Sequence, residues 1–559
     1  MFELSNAWKI AINILLIIIS LIIGYLFILY KYLKREDKSS FMYFVSHNKY
    51  VLFTGIAFAL GIMVRVIFLD LLPGGLNQDE ASAGYDAYSI MMYGVDRNGM
   101  SYPVHLIAWG SGQNALYSYM MIPFIFALGV NELSLRLPMA VAGCISLYLV
   151  YKLLKERFDE KTAFYGLAFI AICPWHIMKS RWGLESNLFP EMVLLGVFLL
   201  LEGIRKKNYW FFFISAFVLA LSSYSYGTSY FFLFFFIIAA LIYLLIKKKI
   251  KWYNSLIYLG IVGITCIPIM LFIYINTFDK ESISLLWFTI PKLTQNRFQT
   301  VTNIFSSTFF KDCYENLING VSLLFTQNDY LPWNSIPYFG IDYMISIPFA
   351  IVGLFYKDQE KENRVFINIL RIWFTVSILM MCIISPNINR INITFIPVVI
   401  FSFLGLKQIC SLSKKVEVVM LTTYTLSFAA FLSVYCGEWN NRLKSSFFYS
   451  FGDAVKYTET IKDYDNCYVT TSLNQPYIFV LYYTKYNTND YISTVEKHNP
   501  GASFESIKSF GNYYFYLPSK LEEGNVYILY NGDNKYSKEE LSNYKVTHFY
   551  YYYVIDATK

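Results

Sequence analysis

The stretch ALYSYMMIPFIFALGVNELSLRLPMAVAGCISLYLVYKLLK, residues 115–155, decides how the chain is read. It holds two apolar runs, 115–131 and 133–151, and the second ends on Lys152 and Lys155. Basic residues next to membrane spans are held on the cytoplasmic side, so 133–151 is expected to run from outside inward. Upstream, Lys31, Lys34, Arg35, Lys38 and Lys49 lie between apolar runs at 9–30 and 51–71 and mark that connection as cytoplasmic. By parity the loop 72–132 is then external. Residues 115–131 lie inside that loop and cannot cross alone. They are expected to form a re-entrant or interfacial helix, because irregular backbone at membrane depth must be buried in protein or line a wet cavity.

The same accounting extends along the chain. Basic clusters at Lys152–Lys161, Arg205–Lys207, Lys247–Lys251, Lys357–Arg364 and Lys414–Lys415 separate further apolar runs at 162–178, 188–204, 209–225, 229–246, 254–275, 341–356, 366–385, 394–410 and 416–436. Together these predict about twelve crossings, many of the runs reaching the roughly 17–25 residues that a hydrocarbon core needs. Of the 559 residues 56% are hydrophobic and only 15% are charged, against about 25% charged in soluble domains. The net charge of +7 is explained by the loop clusters and needs no nucleic-acid partner. The run 9–30 is too long for a signal-peptide core and lacks a small-residue cleavage site, so it reads as an anchor. Eight cysteines are scattered without CxxC spacing.

The predicted fold class is therefore mainly α: a multi-pass helix bundle in the cell membrane, with interfacial helices and a small external α/β domain at the C-terminus. The expected organisation is an extra N-terminal helix and loop (1–50), a transmembrane core (51–436) with external loops 72–132 and 276–340, and the soluble domain (437–559). Within that domain the short runs Cys467–Thr471, Tyr477–Tyr483, Val526–Tyr530 and Thr547–Val554 read as strand-like.

Ionisable groups beside apolar runs are costly, so they mark sites. Those that stand out all map to the external face. Asp79–Glu80 begins a helical segment carrying Tyr85 and Tyr88. Adjacent carboxylates can divide the roles of general base and orienting group, or they can simply begin a helix, with Asp79 as its cap. In the turn Pro174–Asn187, His176 reads as a cavity-wall group or an interfacial filler. Arg181 and Glu185, four apart, either line a site or pair with each other. Arg390, in Ser385–Asn392, sits where the positive-inside bias disfavours it. Its fork suits phosphate oxygens, although it can also snorkel to the interface. Trp109 and Gln113, in Trp109–Asn114, offer a sugar-stacking ring and an amide beside permissive glycines.

With these residues in place, the chain resembles the GT-C membrane glycosyltransferases related to protein O-mannosyltransferases and the lipid A aminoarabinose transferase. The likeness rests on Asp79–Glu80 in the first external loop, Arg136-Leu137-Pro138, the hairpin Pro174–Glu185, Ser223–Gly227, and Arg390 with Pro397. It covers roughly residues 50–410. The resemblance implies inverting transfer of a sugar from a polyprenyl-phosphate donor to an external glycan, lipid or protein acceptor. In that reading Asp79 is the catalytic base and Glu80 acts beside it. Arg181 and Arg390 hold the donor phosphate, and Glu185, His176, Tyr85, Gln113 and Trp109 orient substrate. No cofactor is called for by a motif, and a divalent metal ion is left open. The span at 9–30 is an addition before the family core. Gly112–Asn114 stands where the aminoarabinose transferases carry Lys-Pro-Pro, and no β-trefoil module follows the spans. A lipid-linked glycan polymerase or ligase would use similar lipid phosphates. A transporter or flippase would instead favour paired half-chain repeats and mid-membrane charges.

Overall fold

The computed structural model describes residues 41–295 and 306–558. The expected first span at 9–30 lies outside the described residues. Helix α1 (Phe41–Val66) enters the bundle, and α2 (Gln78–Tyr93) follows after a short loop. The N-cap of α2 is Asn77, not Asp79. Its side chain accepts the Asp79 N–H while Glu80 reaches back to the Asn77 N–H. This reciprocal box satisfies donors that a helix start would otherwise leave open. Strands β1 (His105–Leu106) and β2 (Gln113–Asn114) pair as a small ribbon, and α3 (Leu116–Leu128) comes next. With thirteen residues, α3 is about 20 Å long, too short to cross a core of about 30 Å. Helix α4 (Glu132–Lys155) is a full-length span whose last turn carries Lys152 and Lys155.

The run expected as a single span at 162–178 is divided into α5 (Glu160–Ala171) and α6 (Pro174–Ser180). Pro174 is the cause: it lacks an N–H and excludes helical backbone before it, so the first helix ends and a new one starts at the proline. The exposed carbonyls are taken up. Arg65 donates to Ile170 and Ala171, and the Tyr343 hydroxyl donates to Ile172. Next come α7 (Glu185–Lys206), α8 (Tyr209–Leu221, continued by a 3-10 turn to Tyr224), α9 (Ser229–Ile246) and α10 (Trp252–Thr277). The loop expected at 276–340 contains a hairpin of β3 (Ile283–Leu285) and β4 (Phe288–Ile290) and an eighteen-residue helix α11 (Phe309–Thr326). Helices α12 (Ile347–Leu354), α13 (Lys361–Ile383), α14 (Phe395–Cys410) and α15 (Lys414–Val434) complete the bundle. Eight helices among the described residues are long and apolar enough to cross a membrane. The runs at 162–178, 209–225 and 341–356 form shorter helices.

The basic loops meet at one end of the bundle. Arg205 pairs with Glu156 at 2.9 Å, Arg157 with Glu202 at 3.5 Å and Lys161 with Glu417 at 2.7 Å. The residue clusters around Asp79, Arg181 and Arg390 lie at the opposite helix ends.

Beyond α15 the chain passes through a π turn into α16 (Asn440–Ser446) and then α17 (Phe451–Thr458). The remaining strands form one mixed sheet around β5 (Cys467–Val469). Helices α18 (Pro476–Thr484) and α19 (Thr488–Thr494) leave β5 for the edge pair β6 (Glu496–Lys497) and β7 (Ile507–Phe510), then β8 (Tyr513–Tyr514). The chain next crosses to β9 (Asn525–Tyr530), followed by α20 (Lys538–Leu541), β10 (Lys545–His548) and β11 (Tyr552–Ala557). Strand β5 runs parallel to both neighbours, β8 and β9. The run Tyr477–Tyr483, read as a strand, is helical. It starts on a proline at its first turn, and Tyr477–Tyr482 are all buried, so no alternation marks a solvent face. Helix α18 lies between the sheet and α2, and Leu76, Ala81, Tyr85, Trp109 and Tyr117 share one apolar core with Phe451, Ile478, Val526 and Val554.

Candidate functional site

Glu80 is wholly buried and its two oxygens are committed. Oε1 accepts from Arg136 Nε at 3.0 Å and from the Gly183 N–H at 2.9 Å. Oε2 accepts from Arg136 Nη2 at 3.1 Å. The remaining Arg136 donors go to the carbonyls of Leu69, Pro73 and Gly75. This forked pair joins α2, α4 and the loop before α2. It commits Glu80 to holding the frame, with Asp79 half-buried beside it.

Two adjacent residues strap Asp79 to Glu185. Gln113 Nε2 donates to the Asp79 carbonyl at 3.3 Å, and its Oε1 accepts from Ser82 Oγ at 2.9 Å. The N–H of the next residue, Asn114, donates to Glu185 Oε2, and the Asn114 amide donates to the Tyr230 hydroxyl at 3.2 Å. One residue beyond Glu185, the Ser186 carbonyl accepts from Asn392 Nδ2 at 2.6 Å, which fixes the turn carrying Arg390. Asp79, Gln113, Asn114, Glu185 and the Arg390 turn are thus linked by a continuous run of contacts. Arg390 is half-buried; its backbone N–H donates to Asn387 Oδ1 at 2.8 Å, and its guanidinium donates to the Ser385 carbonyl at 3.0 Å with no other hydrogen bond or ion pair among the described residues. Its fork keeps donors for an anion.

The other expected residues are placed differently. Arg181 is buried, and its guanidinium donates to the carbonyls of Val64, Ile67, Phe68 and Leu72. These carbonyls lie in the last turn of α1 and in the segment just after it, so Arg181 closes that helix end and has no fork left for phosphate. His176 lies in the interior, with Nδ1 on Arg65 at 2.7 Å and Nε2 at 3.4 Å from Glu191, which also pairs with Lys179 at 2.5 Å. Trp109 is buried under the Arg97 guanidinium, 4.8 Å from its ring, and stands edge-on to Tyr477. It has no face for a sugar. The Tyr85 hydroxyl donates to the Tyr486 carbonyl at 2.8 Å and pins α2 to the C-terminal sheet region.

Several residues entered the site without a signal read from the sequence. Asn114 and Asn392 sit at the ends of the two stretches already singled out, and their amides were the available clue. Arg97 and Asp86 carry no such signal. They form a buried pair at 3.7 Å, with Arg97 Nη2 donating to Ser82 Oγ at 2.8 Å. Asp96, close by, has its carboxyl pushed up to about 7, first by burial and then by the charge on Asp86. Among the described residues no group of three or more His, Cys, Asp or Glu side chains is gathered to hold a metal ion, so no step is assigned to one.

The sequence profile of the family described as dolichyl-phosphate-mannose-protein mannosyltransferase matches residues 114–274. No curated protein matches the chain significantly. The solved structure of ArnT from Cupriavidus metallidurans bound to undecaprenyl phosphate is similar, with a TM-score of 0.54 at 11% identity, covering 90% of this chain and 97% of that one. The oligosaccharyltransferase AglB from Archaeoglobus fulgidus aligns at a TM-score of 0.43 and 12% identity over 78% of this chain and 64% of its own. The chain is a multi-pass membrane protein with the GT-C glycosyltransferase fold, resembling the protein mannosyltransferases and the aminoarabinose transferase.

Proposed function

We propose that the chain is an integral membrane glycosyltransferase that moves a sugar from a polyprenyl-phosphate carrier to an acceptor hydroxyl on the extracytoplasmic face, with inversion. The observation that carries this reading is the half-buried Asp79 next to the Glu80–Arg136 pair, joined through its carbonyl to the Gln113–Asn114 strap, with the Arg390 turn linked to the same strap through Glu185 and Ser186. In the reaction, Asp79 takes the proton of the acceptor hydroxyl. The acceptor oxygen then attacks the anomeric carbon from the side opposite the phosphate, and the bond from that carbon to the phosphate oxygen breaks with its electron pair. The charge that grows on the leaving phosphate is met by Arg390, where a prepositioned donor helps most. Glu185, tied to the Asn114 N–H, orients the acceptor or the donor sugar. No covalent enzyme intermediate is required. The matched profile and the lipid phosphate bound by the similar ArnT structure support a donor of this class.

The test is glycan analysis of the cell envelope and its proteins in cells with the gene, without it, and with Asp79→Asn. A sugar missing without the gene should stay missing with Asp79→Asn, since losing a general base slows reaction by about 10²–10⁴-fold. Wild-type glycosylation by Asp79→Asn would remove Asp79 from the mechanism. The face is tested separately. Asn543, exposed in the C-terminal region, is changed to Cys in a chain whose exposed Cys436 is replaced by Ser. Labelling by an impermeant maleimide in intact cells is expected. Labelling only after lysis would reverse the topology.

A further inference from the structure

A cavity of about 520 Å³ opens in the C-terminal region, away from Asp79 and the Gln113–Asn114 strap, at the carboxyl end of β5. Ligands of α/β sheets bind where neighbouring parallel strands send their onward connections to opposite sides, and β5 leads toward β6 at one edge while its parallel neighbour β9 leads toward β10 at the other. The wall includes Asn474, Gln475, Tyr477, His498, Phe515 and Tyr516. The volume falls in the range of small-molecule sites, about 300–1,000 Å³.

The wall has two kinds of surface. Tyr477, Phe515 and Tyr516 supply aromatic rings, and Tyr516 is 44% exposed. Between them stand polar groups with unused capacity. Asn474 and His498 are exposed, and their side chains make no hydrogen bond among the described residues. Gln475 is 93% buried, counting its 7% exposure, and its Oε1 lacks a partner among the described residues. Its backbone is left-handed, at φ +54°, a conformation that costs a non-glycine residue energy and usually has a local reason. A sugar ring presents an apolar C–H face and a rim of hydroxyls that both donate and accept. Ring faces beside amides and an imidazole match that pattern. An anionic ligand fits less well, because the one cation in the wall, Lys508, is already paired with Glu496 at 3.0 Å.

The far wall is continuous with the loop that carries the strap. Gln475 Nε2 donates to the Glu505 carbonyl at 3.2 Å, and the Glu505 N–H donates to the Trp109 carbonyl at 2.9 Å. Gly110 bridges to Phe504. It sits at φ +97°, where an added Cβ would lie 2.9 Å from the Ala502 carbonyl, so only glycine allows this approach. Three residues further on is Gln113. We infer that this cavity is a carbohydrate subsite that holds a sugar unit of a glycan acceptor, an inference that rests on the transferase reading for the acceptor's role but not for the binding itself.

The test uses the full chain in detergent with mannotriose, maltotriose and triacetylchitotriose as probes, followed by saturation-transfer NMR and fluorescence titration. At least one probe should bind saturably. Tyr516→Ala and Asn474→Ala, both at exposed positions, should each weaken it by about tenfold or more, the scale of losing one ring or amide contact, with the melting midpoint unchanged. Asp79→Asn should bind the probe as the wild type does. Absence of saturable binding by all three probes, or binding untouched by both substitutions, overturns the subsite. Transfer without probe binding sinks the subsite alone, whereas probe binding in a chain that transfers no sugar sinks only the transferase reading.

Discussion

Taking away the Arg136 guanidinium would leave Glu80 charged, buried and without its cation, since both its oxygens are tied to that side chain. Breaking a buried pair from one side costs about 3–5 kcal/mol. Arg136→Met should therefore lower the unfolding midpoint in detergent sharply, and an unchanged midpoint would contradict the role given to Glu80. The two arginines expected at a phosphate separate in the same way. Arg390→Ala should leave stability alone and weaken undecaprenyl-phosphate binding by roughly tenfold or more, as for loss of a charge-assisted bond. Arg181→Ala should destabilise the chain instead, by removing the side chain that bonds the carbonyls of Val64, Ile67, Phe68 and Leu72 at and just past the end of α1. Equal effects of both substitutions on lipid binding would refute that division.

At the scale of elements, the hairpin after α6 depends on a close approach. A Cβ on Gly183 would stand 2.9 Å from the Leu135 carbonyl and 3.3 Å from Glu80 Oε1, whereas one on Gly227 would meet nothing within 4 Å. Gly183→Ala should thus reduce both melting midpoint and transfer, and Gly227→Ala should change neither. If the two variants behave alike, the hairpin does not seat Glu80 as described. The proline break between α5 and α6 and the helical form of Tyr477–Tyr483 share one lesson. Apolar runs report burial, but a proline at the right place decides where a helix starts, and a run buried on every side carries no period to tell helix from strand.

For the whole molecule, the sheet region and the loop 72–132 share one core, and a buried titrating group, Asp96, lies in that loop. Asp96 is raised from 3.8 to about 7 by burial and by Asp86, so the folded chain holds a proton that the unfolded chain releases near pH 4. The stability this proton contributes is full below about pH 4, is lost as pH rises through about 7, and is absent above that. Asp96→Asn should flatten the fall of melting midpoint over this window. A slope equal to the wild type would assign the titration elsewhere. The shared core also predicts that ending the chain after Ser446 strips cover from Tyr85, Trp109 and Tyr117, with aggregation on gel filtration as the readout. A monodisperse product would show that the loop folds without the sheet.

Much of this was legible in the residues themselves. Apolar length, basic loops and parity identified a multi-pass bundle and placed 115–131 as a helix that does not cross alone, because hydrocarbon thickness and the cost of burying charge act on local composition. Asp79, Glu185 and Arg390 were nameable as ionisable groups beside spans for the same reason. Their division of labour was not. Whether a carboxylate faces a cleft or an arginine, and whether a guanidinium keeps its donors or gives them to a broken helix, depends on which distant carbonyls arrive beside it. Glu80 meets Arg136 across 56 residues and Arg181 meets Val64 across 117. Only packing brings such pairs together, and that packing drew Glu80 into the frame and left Asp79 half-buried beside it.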